Sequence, residues 1–517
     1  MEEYRSLIVF GCVAAYMGLC VGVGIWAMRR TKSTKDFFMA GRNLGFMVTG
    51  LAIFSSTLSG FGFVGGPGLV FEFGSSSLWM IVCSVIGFSM SFHLLGKRLR
   101  LFAELKDSIS LPDVVASRYN SELARFLMGL VIFLGVIGYL GAQISAMTVV
   151  LKDILDSVDF LPIVPEMACM AISVAILVFY CVTGGIVASV YTDLVQGGIM
   201  VVAAVLVFYA ALGSFQKHAE INGDTELAAQ YEEEGGVTTV VKTVMEDDAE
   251  TVGPWGAYGM FMCVTWFFVF GIGGAGQPHV ITKMMMTKNI GDTKKVLAVS
   301  VIGYTFSALL WISIGFVIRA HMLKENLAPM DSADQAASTF LQTFAHPMLA
   351  GIVFAGLFAA IMSTADGFLN VGAAAVVHDM PKAIIGRPLK NELLSARIAT
   401  LVIAVGAALF TQYSPQQLVA LLGTFGWSTF AAAIVPVVAI GFNWKRGTAL
   451  AANSAMIISL VIIFGFELSI KYAGYAIPHS MNSGAIALMV SMTVFLGVSL
   501  ASKPPELDED IEAVMDL

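Results

Sequence analysis

The stretch GIVFAGLFAAIMSTADGFLNVG, residues 351–372, predicts a membrane helix with a polar centre. Ser363, Thr364 and Asp366 lie near its middle, where lipid offers no hydrogen-bond partner to a hydroxyl or a carboxylate. Such groups face the interior of a helix bundle and mark functional sites within it. Because oxygen atoms are the ligands of hard cations, we expect this helix to contribute to a sodium site.

Glycine and proline clusters interrupt two further apolar segments, SGFGFVGGPG at residues 59–68 and GIGGAGQP at residues 271–278. An interruption frees backbone carbonyls that need a partner where water is absent. A pair of interrupted helices at corresponding positions in two halves of a chain is typical of inverted-repeat transporters, which bind their substrate between those helices. The sequence therefore predicts a binding site where the interrupted helices meet the helix of residues 351–372.

The composition indicates an integral membrane protein. Of the 517 residues, 57% are apolar and 13% are charged, against roughly 25% charged residues in an ordinary soluble domain. Apolar windows of about 20 residues predict an all-α fold with about thirteen transmembrane helices. The sequence contains no phosphate-cradling glycine loop and no HExxH metal motif, so we predict neither an enzyme nor a nucleic-acid-binding protein.

The predicted spans form two halves of five helices with extra segments around them. We predict an N-terminal extra helix and inner loop at 1–43, a first repeat with core helices 1–5 at 44–213, an acidic outer loop at 214–253, a second repeat with core helices 6–10 at 254–440, and two C-terminal helices with an acidic tail at 441–517. Because five is an odd number, the second half enters the membrane from the opposite side. Gly184 and Gly185 are expected to turn the chain between core helices 4 and 5, and the tail is expected to be mobile.

The basic residues predict the orientation of the chain. Most of the 29 lysine and arginine residues lie in loops on one side of the predicted bundle, among them Arg29, Arg30, Lys445 and Arg446. By the positive-inside rule, the N-terminus is outside and the C-terminus is cytoplasmic. We predict a multi-pass protein of the plasma (inner) membrane, in contact with the lipid bilayer as a monomer or weak oligomer.

Five sequence motifs occur in this order: AGRNLG with LAIFSSTLSG (40–60), RLRLFAELKDSISLPDVVASRY (98–119), YCVTGGIVASVYTDLVQ (180–196), GQPHVITKMM (276–285) and FAAIMSTADGFL (358–369). In kind and order they resemble the solute:sodium symporter family, most closely its bacterial sodium/proline symporter branch. The resemblance implies a LeuT-type inverted five-plus-five core, with one helix before it and two after it. It also implies that Na+ is the coupling ion.

The resemblance implies a sodium site made by the carbonyls of Ser55, Leu58 and Ala360 and the hydroxyls of Ser363 and Thr364. The spacing of the last three residues agrees with this, because positions i, i+3 and i+4 share one face of a helix. Five such oxygens suit a dehydrated hard cation. The alternative is that the hydroxyls only donate to carbonyls of their own helix.

A second cation site is expected around Asp193. Some members of the family bind an additional sodium ion between an aspartate at this position and core helix 8, which here offers Ser363 and Asp366. Two carboxylates close together in a low dielectric cannot both stay ionised without a cation. The alternative is that Asp193 and Asp366 each bond to backbone or threonine donors and do not meet.

The predicted solute pocket contains Thr57, Gly60, Tyr139, Gln143, Phe270, Gly274 and Gln277. Thr57 replaces an aspartate of the sodium/proline branch, and Phe270 and Gly274 replace a tryptophan and a tyrosine. Such changes alter the shape and polarity of a pocket, which argues against proline itself as the solute. Tyr139 and Gln143 are the polar candidates of a helix that has no midspan arginine; the alternative is that they only pack.

We therefore predict a secondary transporter that uses the inward sodium gradient to import a small polar organic solute, an amino acid or organic acid, by alternating access. Its partners are that solute and the sodium ion. Two alternatives stay open. A proton-coupled transporter of the same fold would use Asp193 or Asp366 as the titrating group, and a membrane sensor or channel would use the same scaffold without coupled transport.

Overall fold

The computed structural model describes residues 4–28, 44–158, 162–414, 418–478 and 481–517, in which helices joined by short loops make up the fold. These ranges contain no β-strand, and the all-α prediction is confirmed. Their α-helices, in chain order, are α1 Arg5–Met28, α2 Phe46–Thr57, α3 Gly66–Phe73, α4 Leu78–Ser91, α5 Lys97–Leu105, α6 Leu111–Tyr119, α7 Glu122–Asp156, α8 Glu166–Leu212, α9 Ser214–Ile221, α10 Thr225–Glu234, α11 Gly236–Asp247, α12 Ala249–Val252, α13 Gly259–Trp266, α14 Pro278–Met285, α15 Thr293–Leu323, α16 Ala336–Thr343, α17 Pro347–Ala374, α18 Met380–Ile385, α19 Glu392–Tyr413, α20 Val419–Ile434, α21 Ala449–Ala473, α22 Ser483–Ala501 and α23 Glu509–Met515.

The helices agree with the predicted number of about thirteen spans. Ten helical runs in the described ranges are long and apolar enough to cross a membrane. Three shorter apolar helices add to them, namely Arg5–Cys20, Phe46–Thr57 and Glu166–Val182. One of the ten runs, Phe61–Leu105, continues from the first interrupted helix into the next span.

The predicted turn at Gly184 and Gly185 is wrong, because α8 runs without interruption over 47 residues. A glycine inside a helix costs roughly 1 kcal/mol relative to alanine, which packing of the neighbouring residues can offset. At about 1.5 Å per residue the helix is about 70 Å long, more than twice the ~30 Å of a bilayer's hydrocarbon core. It therefore supplies the length of two spans.

The first interruption lies at the end of α2. Leu58 leaves helical geometry at φ −83° and ψ 63°, and the helix resumes with wide turns over Phe61–Gly65 before α3. The glycines that follow serve close packing, since a Cβ on Gly66 would lie 2.0 Å from the ring of Trp311. The break therefore begins slightly before the glycine cluster from which it was predicted.

The second interruption lies between α13 and α14, where it was predicted. The chain widens over Phe267–Gly271, tightens over Ile272–Gly276, and becomes extended at Gln277, with φ −80° and ψ 111°. Pro278 then starts α14, because proline fits the first position of a helix, where no amide hydrogen is needed. Each interrupted helix therefore consists of two helical segments that meet inside the bundle.

Helix α17 lies at the centre of the bundle. It contacts α1, α2, α7, α8, α14 and α19, and every residue from 356 to 375 is buried. By contrast, α19 and α21 expose large apolar side chains such as Val402 and Val461, as helices that face lipid do. The polar residues of α17 therefore face protein.

Asp113 joins three helices at one end of the bundle. It lies in the first turn of α6, where its amide donates to the capping hydroxyl of Ser110 at 3.1 Å. Its carboxylate accepts from Lys382 at 2.9 Å, from His378 at 3.2 Å and from Arg125. Burial alone would raise the pKa of Asp113, but His378 and Lys382 hold that pKa well below its usual range. The ionised carboxylate ties α6, α7 and α18 together.

The C-terminal tail is folded, against the prediction that it is mobile. Helix α23 buries Ile511, Val514 and Met515 against the bundle. Two ion pairs flank this contact: Lys106 with Asp508 at 3.1 Å and Lys445 with Glu512 at 2.8 Å. The acidic tail therefore packs on the basic end of the molecule.

We expect Arg125→Met to lower the midpoint of thermal unfolding in detergent by a few degrees. Removing one partner of a buried ion pair typically costs about 3–5 kcal/mol, because the other charge stays buried. A thiol-reactive dye can follow unfolding, since five of the six cysteines are buried. Lys242→Met removes an exposed pair with Glu234 and serves as the control. Equal midpoints in the two variants would contradict a structural role for the Asp113 cluster.

Candidate sodium and solute sites

Hydroxyl groups connect α2 with α17 at the predicted sodium site. The hydroxyl of Thr364 donates to the carbonyls of Ser56 at 2.9 Å and Ala360 at 3.0 Å. The hydroxyl of Ser55 donates to Ser363 Oγ at 3.3 Å. All five residues are buried. The end of the first interrupted helix therefore lies against the midpoint of α17.

The end of α2 adds backbone oxygens to this place. The last carbonyls of a helix have no partner within it, and Ser55 and Leu58 belong to this end of α2. Thr364 also donates to the carbonyl of Ala360 in its own helix, which is the bond that the alternative to a sodium site predicts. That bond uses the hydroxyl hydrogen and leaves the oxygen lone pairs available to a cation. The residues present fit sodium, and its binding here stays a prediction.

Beside these oxygens lies a buried ion pair between Asp193 of α8 and Lys283 of α14. Lys283 Nζ donates to Asp193 Oδ2 at 3.0 Å and to the carbonyl of Ala52 at 2.8 Å. The other carboxylate oxygen of Asp193 accepts from the hydroxyl of Ser363. Asp193 and Lys283 are 0% and 1% exposed, so bulk solvent does not reach these bonds. The pair neutralises a charge that would otherwise be very costly to bury.

Sequence reasoning missed Lys283, although a signal was available. An aspartate inside an apolar helix requires a cation or a donor, and Lys283 is the basic residue inside the GQPHVITKMM motif, at the end of an interrupted span. The distance of 90 positions between the two residues hides the pairing from any local pattern.

The structure places two of the three residues of the predicted second cation site together. Asp193 and Ser363 are hydrogen bonded. Asp366 lies one turn further along α17, beside Cys181 and Ser189, and its Oδ2 has no hydrogen-bond partner among the described residues. A cation is present on Asp193, but it is the ammonium of Lys283. Binding of an additional sodium ion there stays a prediction.

Helix α7 holds the interruption after α2. The hydroxyl of Tyr139 pairs with Ser59 Oγ at 3.0 Å, and the amide of Gly60 donates to Gln143 Oε1 at 2.9 Å. A Cβ on Gly60 would lie 2.6 Å from the Cβ of Ala146, so only glycine permits this close approach. Three residues of the predicted solute pocket, Gly60, Tyr139 and Gln143, therefore lie together.

Aromatic rings surround the same region. The ring of Phe270 lies 5.8 Å from that of Phe61 and 5.4 Å from that of Trp427. Tyr139 lies 4.6 Å from Phe368 and 6.2 Å from Trp427. Trp427 thus connects the second interrupted helix with α7. Sequence reasoning did not single out Trp427 or Phe368, since an aromatic residue in an apolar helix gives no local signal of the pocket it lines.

Several polar atoms in this region are buried without a hydrogen-bond partner in the described ranges, namely Gln143 Nε2, Gln277 Oε1, Trp266 Nε1 and both ring nitrogens of His279. The ring of His279 lies 4.4 Å from Phe368, and that of Trp266 lies 5.6 Å from Phe270. Folded proteins rarely leave such groups unpaired. These atoms indicate a place where a polar ligand can bind.

Two residues of the predicted pocket, Thr57 and Gly274, contact neighbouring backbone atoms. The hydroxyl of Thr57 donates to the carbonyl of Ile53 in its own helix. Gly274 faces α4, because a Cβ built on it would lie 2.9 Å from the Cα of Gly87. The absence of a side chain at Gly274 therefore permits close helix packing. Its place in the solute pocket stays a prediction.

The family model of the sodium:solute symporter family matches residues 37–459. Among the relatives, the osmoregulated proline transporter OpuE of Bacillus subtilis is 26% identical over 93% of this chain and 92% of its own length. The sodium/proline symporter of Escherichia coli is 25% identical over 98% of this chain and 95% of its own length. The sodium/pantothenate symporter of the same organism is 25% identical over 94% of each chain.

Two solved structures have a similar fold. The substrate-bound outward-open state of a Na+-coupled sialic acid symporter has a TM-score of 0.75 at 17% identity, covering 97% of this chain and 99% of that chain. Mhp1, a nucleobase-cation-symport-1 family transporter in a closed conformation, has a TM-score of 0.51 at 13% identity, covering 94% and 99%. The predicted LeuT-type fold is confirmed.

We expect Ser363→Ala and Thr364→Ala each to raise the half-saturating sodium concentration roughly tenfold, equivalent to about 1.4 kcal/mol, because each removes one ligand oxygen. Equilibrium binding of radioactive sodium to the purified protein measures this without any solute. Ser300→Ala is the control: Ser300 is buried and its hydroxyl donates to the carbonyl of Gly50 in the first half of α2, whereas the predicted ligands lie at the end of that helix. Unchanged sodium affinity in both α17 variants would remove the site.

Proposed function

The chain belongs to the sodium:solute symporter family, and on that basis we propose that it imports a small organic acid, such as an amino acid, together with sodium bound between α2 and α17. Sodium-coupled import of a small organic solute is the activity of the family. The observation that supports the proposal is the pair of bonds from Thr364 to Ser56 and from Ser55 to Ser363, because they hold the end of α2 against the predicted ligand residues of α17. Membership of this family favours sodium over the proton as the coupling ion.

The sodium ion would act as a clamp between two helices. Three of its ligands, Ala360, Ser363 and Thr364, belong to α17, and two, Ser55 and Leu58, belong to the end of α2. A cation attracts the oxygens of both helices, so its binding favours the arrangement in which α2 rests on α17. The ion thereby selects one state of the alternating-access equilibrium.

The solute would bind on the other side of the same interruption. Ser59 and Gly60 are held by Tyr139 and Gln143 of α7, and the unpaired Nε2 of Gln143 offers a donor there. A ligand bonded to Gln143 acts on the segment that also carries Leu58, which is a predicted sodium ligand. Two ligands that bias the same movement are thermodynamically coupled, and each raises the affinity for the other.

The chemistry of the pocket supports a carboxylate solute held by neutral donors. Proline, pantothenate and sialic acid, which the names of the compared proteins give as their solutes, all carry a carboxylate. The unpaired donors in this region are the side-chain amide of Gln143, the indole N–H of Trp266 and the ring of His279. Neutral N–H donors bind a carboxylate without requiring a fixed positive charge.

The aromatic walls favour a small solute. Phe61, Phe270 and Trp427 pack with ring separations below 6 Å, and Gln143 and Gln277 are 0% exposed. Such a closed site accommodates a compact apolar body next to a polar end group. An amino acid or a short organic acid satisfies both conditions.

We also propose that the C-terminus is cytoplasmic and the N-terminus outside. The tail helix α23 packs on the end of the molecule that carries Lys106 and Lys445, and an excess of basic residues marks the cytoplasmic side. Labelling of single cysteines introduced at residues 2 and 516 with a membrane-impermeant reagent tests this orientation.

The direct test is uptake into proteoliposomes with an inward sodium gradient. The panel contains labelled proline, alanine, a short hydroxy acid, pantothenate, sialic acid and an uncharged sugar. We expect uptake of at least one small carboxylate that stops when sodium is replaced by choline. Sodium-driven uptake of the sugar alone, with no carboxylate as substrate or competitor, would overturn the proposed solute class.

We expect Gln143→Glu to reduce the apparent affinity for the carboxylate solute at least tenfold. The substitution keeps an oxygen that accepts from Gly60, but it replaces the donor amide with an oxygen that repels a carboxylate. Sodium binding in the absence of solute should remain close to that of the parent. Gln196→Glu is the matched control, since Gln196 is buried on α8 and bonds to Tyr16. Equal KM values for the two variants would place the carboxylate elsewhere.

A further inference from the structure

The ammonium of Lys283 occupies a place built like a cation site. It donates hydrogen bonds to a carboxylate oxygen of Asp193 at 3.0 Å and to the carbonyl of Ala52 at 2.8 Å. The hydroxyl of Ser363 in α17 donates to the other carboxylate oxygen of Asp193. Carboxylate, carbonyl and hydroxyl oxygens are the groups that hold sodium in proteins. Here they hold a positive charge that is covalently part of the chain.

We propose that Lys283 is a built-in cation that takes the place of a second sodium ion at Asp193, so that the protein binds and transports one sodium ion per solute. The proposal rests on the proposed function for the identity of the transported ion. According to this proposal, Lys283 limits the number of sodium ions that move with each solute to one.

Charge balance supports one cation at Asp193. The carboxylate carries one negative charge and the ammonium carries one positive charge, and both side chains are almost completely buried, at 0% and 2% exposure. A sodium ion added next to Asp193 would approach the ammonium in a medium of low dielectric, where two like charges repel strongly. The pair of Asp193 and Lys283 is neutral as it stands.

Asp366 is a nearby acid that could alter this balance. It follows Ser363 by three positions on α17 and is 2% exposed. Lys283 donates to Asp193 and Ala52 rather than to Asp366, and Asp366 lies beside Cys181 and Ser189. Its carboxyl still lies within electrostatic reach of both Asp193 and Lys283, so the experiment includes a variant that removes it.

Lys283 is anchored in the fold, so its ammonium differs from a bound sodium ion in its effect on the driving force. Lys283 belongs to α14, the half of the second interrupted helix that follows the break, and its bonds reach α2 and α8. A sodium ion at this place would enter and leave in every cycle and add its gradient to the driving force. The ammonium cannot leave, so it adds no driving force and only fixes the helices.

Lys283 also positions the sodium site that remains. By holding one oxygen of Asp193, it leaves the other oxygen to accept from the hydroxyl of Ser363. Ser363 directs its hydrogen to Asp193 and accepts one bond from Ser55, which leaves one lone pair free to coordinate sodium beside Thr364. The two predicted cation sites therefore share Ser363, and one of them is occupied by the chain itself.

The test counts sodium ions bound to the purified full-length protein, using radioactive sodium and no solute. We expect one ion per parent molecule and one per Lys283→Arg molecule, which keeps the charge. Lys283→Gln frees Asp193, and we expect two ions per molecule. The double variant Lys283→Gln/Asp193→Asn should return to one, and Asp366→Asn should bind one. Lys382→Gln is the matched control: it removes a lysine from the buried Asp113 and should bind one.

Two ions per parent molecule would overturn the proposal, and so would one ion per Lys283→Gln molecule, because the lysine would then be only a structural partner. Each variant must elute as the parent does in size-exclusion chromatography. If Lys283→Gln does not fold, the ratio of sodium to solute flux in parent proteoliposomes decides: a ratio of one supports the proposal and a ratio of two rejects it. Absence of any bound sodium in the parent would instead contradict the proposed function.

Discussion

The carboxylate of Asp193 constrains the centre of this protein more than any other group, because a charge inside a membrane bundle must be neutralised there. Lys283 and Ser363 meet it, and Lys283 also bonds to α2. These few bonds set the relative positions of α2, α8, α14 and α17. The predicted sodium ligands lie on two of those helices, so their geometry depends on this buried pair.

The interruption after α2 is where ion and solute can influence each other. On one side, Ser55 and Ser56 bond to α17. On the other side, Ser59 and Gly60 bond to α7. An intact helix would satisfy its own backbone groups and offer nothing to either neighbour. The break therefore supplies ligand atoms and lets two sites act on one short segment.

Two sequence expectations failed, each for its own physical reason. Gly184 and Gly185 suggest a turn, yet α8 continues through them, because glycine weakens a helix without ending it. The acidic tail looks solvated by composition, yet opposite charges on Lys106 and Lys445 hold it to the bundle. For the tail, contacts with distant residues decided what the local composition left open.

By itself the sequence determined the all-helical membrane fold, the number of spans, the two interruptions and the shared face of Ser363 and Thr364, because hydropathy and helical periodicity are local properties. Only the tertiary structure decided that Lys283 neutralises Asp193 and that Trp427 joins Phe270 and Tyr139. These contacts connect helices far apart in the chain. They depend on which helix faces meet when the bundle packs, and periodicity within one helix carries no information about its partner's side chains.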